Sequence, residues 1–251
     1  MMLARSLGRL LRLPAAAVLG ALTLSSGSAE ARDLLVAPGA KGQLAFDQIS
    51  GFRATSLDGV GYAGLFGARW DRQSTDIAAG GKRTFKSLSL WLAPSADYFV
   101  IDHLSLGGAV ELTRTSTSVE SPVDANPNVT RTVDLPTTLG FSIVPRVGYL
   151  IAPTNRIGIW PRLGIGYFLK QQIDENANAA ASTRASFSGV VFDLDVGLLF
   201  RVTEELFLRA APELAFSVAG SRSAETNNGK ISTDASFLQV GLSAGVGVLI
   251  D

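Results

Sequence analysis

The 251-residue chain carries one histidine, His103, and no cysteine. Thiol catalysis, thiolate metal sites, disulfides and a lipoprotein anchor on cysteine are therefore excluded, and a His-rich metal centre lacks its ligands. A histidine works as a general base only within hydrogen-bond reach of a nucleophile. His103 stands beside Asp102 in a short turn and reads as a turn residue, not as half of a hydrolytic pair at an external rim. The remaining chemistry-bearing side chains are charges at regular spacing. Arg69, Arg146, Arg162, Arg201 and Arg209 face Asp97, Glu111, Asp193, Asp195 and Glu213, a balanced set. In a narrow lumen such charges must pair, because an isolated buried one costs several kcal/mol. Glu111, Arg146, Arg162, Asp195 and Glu213 are expected near one level.

The elements that place these charges begin with an address. Arg5, Arg9 and Arg12 precede an apolar stretch over 13–24, and small residues end in Ala29-Glu30-Ala31. This is the secretory pattern, with cleavage expected after Ala31. Removal takes three of 22 basic and one of 22 acidic side chains, leaving 19 and 21, a net of −2. A charge near zero gives no reason to expect nucleic acid.

Mean hydropathy is positive, yet beyond residue 31 no apolar run approaches the roughly 20 residues of a spanning helix. Apolar residues alternate instead. Leu88, Leu90, Leu92, Pro94, Ala96, Tyr98 and Val100 share one parity, and the pattern recurs over 139–151, 157–169, 190–202, 206–218 and 238–250. Across these six segments one face carries no charge, amide or hydroxyl beyond tyrosine; the other is glycine, serine, alanine and scattered charges. Weaker alternation joins Val60, Tyr62, Phe66, Ala68 and Trp70, and again Leu104, Leu106, Val110 and Leu112. Runs of 13 residues exceed the five or six of an average sandwich strand. An apolar face turned to lipid and small residues turned inward fit a narrow membrane barrel.

Connections alternate between short (101–103, 152–155, 203–205) and long and polar (72–83, 118–132, 172–184, 221–234). Short turns mark the periplasmic side of outer-membrane barrels and long loops the outside. The fold class is all-β: a closed antiparallel up-and-down transmembrane β-barrel of eight strands, with ten as the alternative. Residues 1–31 read as a cleaved signal peptide and 59–251 as the barrel; 32–58 read as a periplasmic lead-in, a plug element or an extra strand. Outward aromatics form two girdles: Tyr62, Tyr98, Tyr149 and Phe200 low, Trp70, Phe141, Tyr167, Phe192 and Phe216 high. Pro94, Pro145, Pro161 and Pro212 lie at a common depth, which predicts a ring of bulges or local twist.

A signal segment, eight alternating segments and four long loops together resemble the small outer-membrane barrels of the OmpA and OmpX type. The resemblance covers about residues 60–251 and rests on architecture. Members end in an aromatic residue read by the assembly machinery, whereas this chain ends in Ile250-Asp251. The implied location is the Gram-negative outer membrane. Expected partners are outer-membrane lipid, the assembly machinery and external ligands of the long loops, for a monomer without cofactor or metal. The function read from sequence is non-enzymatic, structural or surface-contact, with the lumen plugged by paired charges. The alternative is a small pore for ions, small solutes or apolar molecules.

Overall fold

The computed structural model describes residues 38–55, 59–76, 82–123, 126–174, 184–226 and 229–251. The expected signal segment lies outside them. Twelve strand segments make one sheet: β1 (Leu44–Thr55), β2 (Gly59–Gly64), β3 (Phe66–Asp76), β4 (Lys82–Leu92), β5 (Ser95–Ile101), β6 (Leu104–Val123), β7 (Asn126–Tyr149), β8 (Ile157–Ile173), β9 (Arg184–Arg201), β10 (Leu206–Thr226), β11 (Gly229–Asp234) and β12 (Leu238–Ile250). Among the described residues all strand pairings are antiparallel. At the level of Leu44 and Ile250 the ladder runs β1-β5-β6-β7-β8-β9-β10-β12 and returns to β1, a closed barrel of eight strands. Leu44 meets Ile250 of β12 on one side and Tyr98 of β5 on the other.

The eight are not composed as the sequence suggested. Leu44–Thr55, for which a lead-in, a plug element and a strand were all open, is the wall strand β1, and it also carries a plug residue described below. The expected single strand around Val60–Trp70 is instead two arms of a V. β2 descends along β1, with Gly64 opposite Ser50, and β3 climbs along β4 from Phe66 opposite Leu92. At the apex Leu65 donates to the Ile49 carbonyl at 3.2 Å and accepts from Ala93 at 2.7 Å. Gly64 lies opposite Ser50 and Phe66 opposite Leu92, with Phe66 and Trp70 exposed on the outer face, so one parity passes through the reversal.

The outer face is apolar as the parity predicts. Tyr98, Tyr149, Phe200, Trp70, Phe141, Tyr167 and Phe216 are all exposed large side chains, and Phe192 stacks on Phe216 with ring centroids 5.6 Å apart. The Tyr62 side chain lies outside the described residues.

Two expectations need correction. The segments taken as long polar loops are largely strand: β6 and β7 pair as far as Val123 and Asn126, and β10 pairs β11 from Ser221 to Thr226. Their threonines and valines are good strand formers. With both faces polar, they lack the alternation that marks a strand buried on one side. The prolines, in turn, do not bulge the wall. Between β7 and β8, Ile143↔Tyr167 and Arg146↔Gly164 keep one register across Pro145. Between β9 and β10, Ala210↔Leu198 and Glu213↔Asp195 do the same across Pro212. Pro145, Pro161 and Pro212 each lack a donor and leave one ladder locally open, while the other neighbour strand remains paired, as in Gly108↔Pro145, Pro161↔Val196 and Pro212↔Leu242. Pro94 belongs to no ladder and marks where the strand expected over 87–100 breaks into β4 and β5. Register shifts lie elsewhere, at Phe46/Ser50, Phe99/Ile101, Thr115/Thr117, Pro122/Val123 and Ser217/Ala219.

The lumen is closed at the end marked by Leu44 and Ile250. Ala45, Phe99, Leu150, Trp160, Leu199, Phe207 and Leu249 form a buried apolar layer, with Phe99 stacked on Trp160 at 5.5 Å. Residues 39–43 are laced beneath it. Gly42 donates to the Phe99 carbonyl and Phe99 to the Gln43 carbonyl, both at 2.9 Å. The Gln43 side chain accepts from the Gly39 amide at 2.8 Å and donates to Asp251 at 2.8 Å. Gly39 has φ 85°, and a Cβ there would lie 2.7 Å from a Leu150 methyl, so only glycine fits.

Candidate functional site

Small inward residues leave room for long charged ones, and six of these meet directly above the apolar layer. Arg162 lies 2.7 Å from Asp47, 3.0 Å from Asp97 and 3.0 Å from Asp195. Arg146 bonds Asp47 at 2.8 Å and forms a two-pronged pair with Asp97. Arg209 bonds Asp195 at 2.8 Å and Ser243 at 3.1 Å, and lies 3.8 Å from Asp47. Three guanidinium groups thus face three carboxylates, all buried, a net of zero. Ser95 donates to Asp47 at 2.5 Å. Arg162 also sits 4.6 Å over the Trp160 ring, whose nitrogen donates to Ser105 at 3.2 Å. Charge layer and apolar layer are therefore one block.

Glycine makes that block fit. A Cβ at Gly107 would lie 2.4 Å from the Asp97 carboxylate, and one at Gly148 2.8 Å from Arg162 and 2.6 Å from the Trp160 nitrogen.

The ten inward charges named from sequence separate into four groups. Asp97, Arg146, Arg162, Asp195 and Arg209 are brought together. Glu111, Asp193 and Glu213 line a chamber that the cluster also borders, and Glu213 lies directly opposite Asp195 in the β9–β10 ladder. Arg201 ends β9 and donates to the carbonyls of Thr203 and Glu204, binding the β9–β10 turn. Arg69 is half exposed and pairs with Asp71 at 2.7 Å, away from the cluster. Two residues of the interior network were missed, Asp47 and Arg53, both on β1. Arg53 bonds Glu213 at 2.8 Å. An inward acid and an inward base of the right parity were the signal, hidden because β1 was not placed in the wall.

Above the plug lies a chamber of about 300 Å³. Asp47, Arg146, Arg162 and Arg209 form its floor. One wall is apolar: Val144, Phe168 and Val191, with Phe187, Ala215 and Phe237 packed against them. Phe168 meets Phe187 at 4.8 Å and Phe237 at 5.2 Å, both edge to face. Phe237 is pinned by reciprocal bonds with Ser217, at 2.8 and 3.0 Å, beside the β10 bulge. The facing wall is polar, with Arg53, Glu111, Thr113 and Glu213. Gln48 and Ala93, on either side of the Leu65 apex, also line it, so the chamber reaches the foot of the V.

Above Leu65 no ladder joins β2 to β3 among the described residues, and the two are the free ends of the strand order. His103 lies in the β5–β6 turn with φ 70°, its ring 6.2 Å from Tyr149, far from these groups. No set of metal-ligating side chains occurs among the described residues.

No protein-family model and no curated protein matches the chain. Solved structures do. The outer membrane protein OprG from Pseudomonas aeruginosa aligns with a TM-score of 0.51 at 14% identity, over 86% of this chain and 99% of that one. Outer membrane protein AlkL, in its solid-state NMR structure in DMPC bilayers, gives 0.47 at 12% identity over 86% and 93%. The β domain of the Bordetella autotransporter BrkA gives 0.33 at 12% over 82% and 98%. The chain thus has the fold of a small outer-membrane barrel.

Proposed function

We propose that this chain is an outer-membrane barrel, akin to the OmpA- and OmpX-type barrels its sequence resembles. In this reading it passes small apolar or amphipathic molecules into the outer leaflet through its side. The structural or surface-contact role favoured by sequence alone fits less well. Of the two readings, the pore for small molecules draws support from the split between β2 and β3, whose foot opens on the chamber.

A sheet edge does not occur bare in hydrocarbon; it is tolerated only where it lines a water-filled cavity or is covered by protein. The β2 and β3 edges flank the chamber and supply such a case. The plug and apolar layer block the axial path, so a molecule in the chamber has the split as its way out. Aromatic and charged walls suit a ligand with an apolar body and a polar end. This reading assigns His103 no role in the transfer and involves no bond making or breaking.

The chain has no cysteine, which makes the test clean. Cysteines replacing Gly61 and Arg69, on opposite arms of the V, allow the split to be closed by oxidation. Entry of the lipophilic dye N-phenylnaphthylamine into cells carrying the doubly substituted protein should fall to the level of cells lacking it, and recover on reduction. Dye entry unchanged by a verified cross-link would sink the lateral route.

A further inference from the structure

On the outer face, a groove of about 550 Å³ runs over β4, β6, β7 and β8. The ladders fix its two rows. Leu92, Leu112, Phe141 and Leu169 are successive cross-strand partners; one step farther from the short turns, the row reads Leu90, Arg114, Leu139 and Gln171. Arg114 and Gln171 thus stand at the polar edge of the outward apolar face, the Arg114 side chain exposed. Gln171 accepts a 2.6 Å bond from Arg184, which brings a second guanidinium to the same rim. An arginine at the edge of a hydrocarbon belt lays its stem along apolar surface and sends its head to the nearest polar layer. Guanidinium groups match phosphate oxygens with two parallel bonds.

We propose that this groove binds one phosphorylated lipid of the outer leaflet, with an acyl chain along Leu112, Phe141 and Leu169 and its phosphate on Arg114 and Arg184. The site is separate from the chamber and rests on the outer-membrane reading above. A lipid is the occupant chosen because the apolar row continues the belt, and the charges lie on the side where a leaflet presents phosphates. Such a lipid would brace β4 and β6, next to the V.

Native mass spectrometry of the full barrel in mild detergent tests this, with bisphosphorylated lipid A and its dephosphorylated form as probes. One lipid A per barrel is expected to survive detergent removal, and the dephosphorylated lipid is not. Arg114→Gln with Arg184→Gln should lower occupancy at least tenfold. Lys86→Gln, which removes a charge already paired with Glu120, should leave occupancy unchanged. Leu112→Trp fills the groove without altering charge and should lower occupancy as well, which keeps the test open if the double variant folds poorly. Retention equal to the wild type in the Arg114/Arg184 variant or in the Leu112 variant, or equal retention of the dephosphorylated lipid, overturns the proposal. A wild-type protein lacking heat-modifiable migration would overturn the membrane-barrel reading instead.

Discussion

Asp47 and Arg162 meet at 2.7 Å across the lumen, joining β1 to β8, two strands that share no ladder. Both side chains are almost fully buried, at 2% and 1% exposure. Asp47 also accepts from Arg146. Asp47→Asn removes the charge and leaves two buried guanidinium groups short of a partner. Breaking one partner of a buried set costs about 3–5 kcal/mol. The expected outcome is a lower unfolding midpoint, read as the loss of heat-modifiable migration with temperature or urea. An unchanged midpoint would mean that the cluster is not desolvated as its geometry implies.

How far this was legible from the sequence depends on which face each strand buries. β7, β8, β9, β10 and β12 were legible because lipid-facing positions tolerate only apolar residues, so parity is written in Ile143, Leu163 or Leu194 without interruption. β1 was not. Its outward row is Leu44, Phe46, Ser50, Phe52 and Ala54, cut by a bulge at Asp47-Gln48-Ile49, with Gln48 at φ 63°. Losing β1 also lost Asp47, so the plug was foreseen with one of its three carboxylates missing. The V escaped notice for the opposite reason. The register carries one parity through the reversal at Leu65, with Gly64 opposite Ser50 and Phe66 opposite Leu92, and parity cannot report a turn that preserves it. Arg69 was misplaced because parity assigns a face but not a height, and its level is outside the plug.

The wild-type barrel should show no reproducible conductance steps in planar bilayers. Two barriers in series predict this, the neutral charge block and the apolar layer of Phe99, Trp160 and Phe207. Opening the charge block alone, by Arg162→Ala, should therefore still give no steps. Combining it with Trp160→Ala and Phe99→Ala should. Steps in the wild-type protein would show an axial path that the lateral reading excludes.

Leu194 faces outward at the middle of β9, paired with Leu163 on one side and Leu214 on the other. Leu194→Arg should destabilise the barrel by ~2–4 kcal/mol, the cost of a cation at the bilayer midplane. The same substitution at Ile231, exposed on β11 beyond the apolar belt, should cost far less. Urea unfolding in lipid vesicles compares the two, and equal costs would refute the outward assignment.

Phe237→Ala tests the chamber from its apolar side. Phe237 makes edge-to-face contacts with Phe168 and Phe187 at 5.2 and 6.1 Å, each such pair contributing about 0.5–1.5 kcal/mol. Its removal should lower stability by roughly the sum of the two pairs and widen the chamber above the plug. Since Asp47, Arg146 and Arg162 are untouched, ion conductance should stay absent. Dye entry should change, and still depend on the Gly61→Cys, Arg69→Cys cross-link. Dye entry that rises yet ignores the cross-link would place the exit somewhere other than the V.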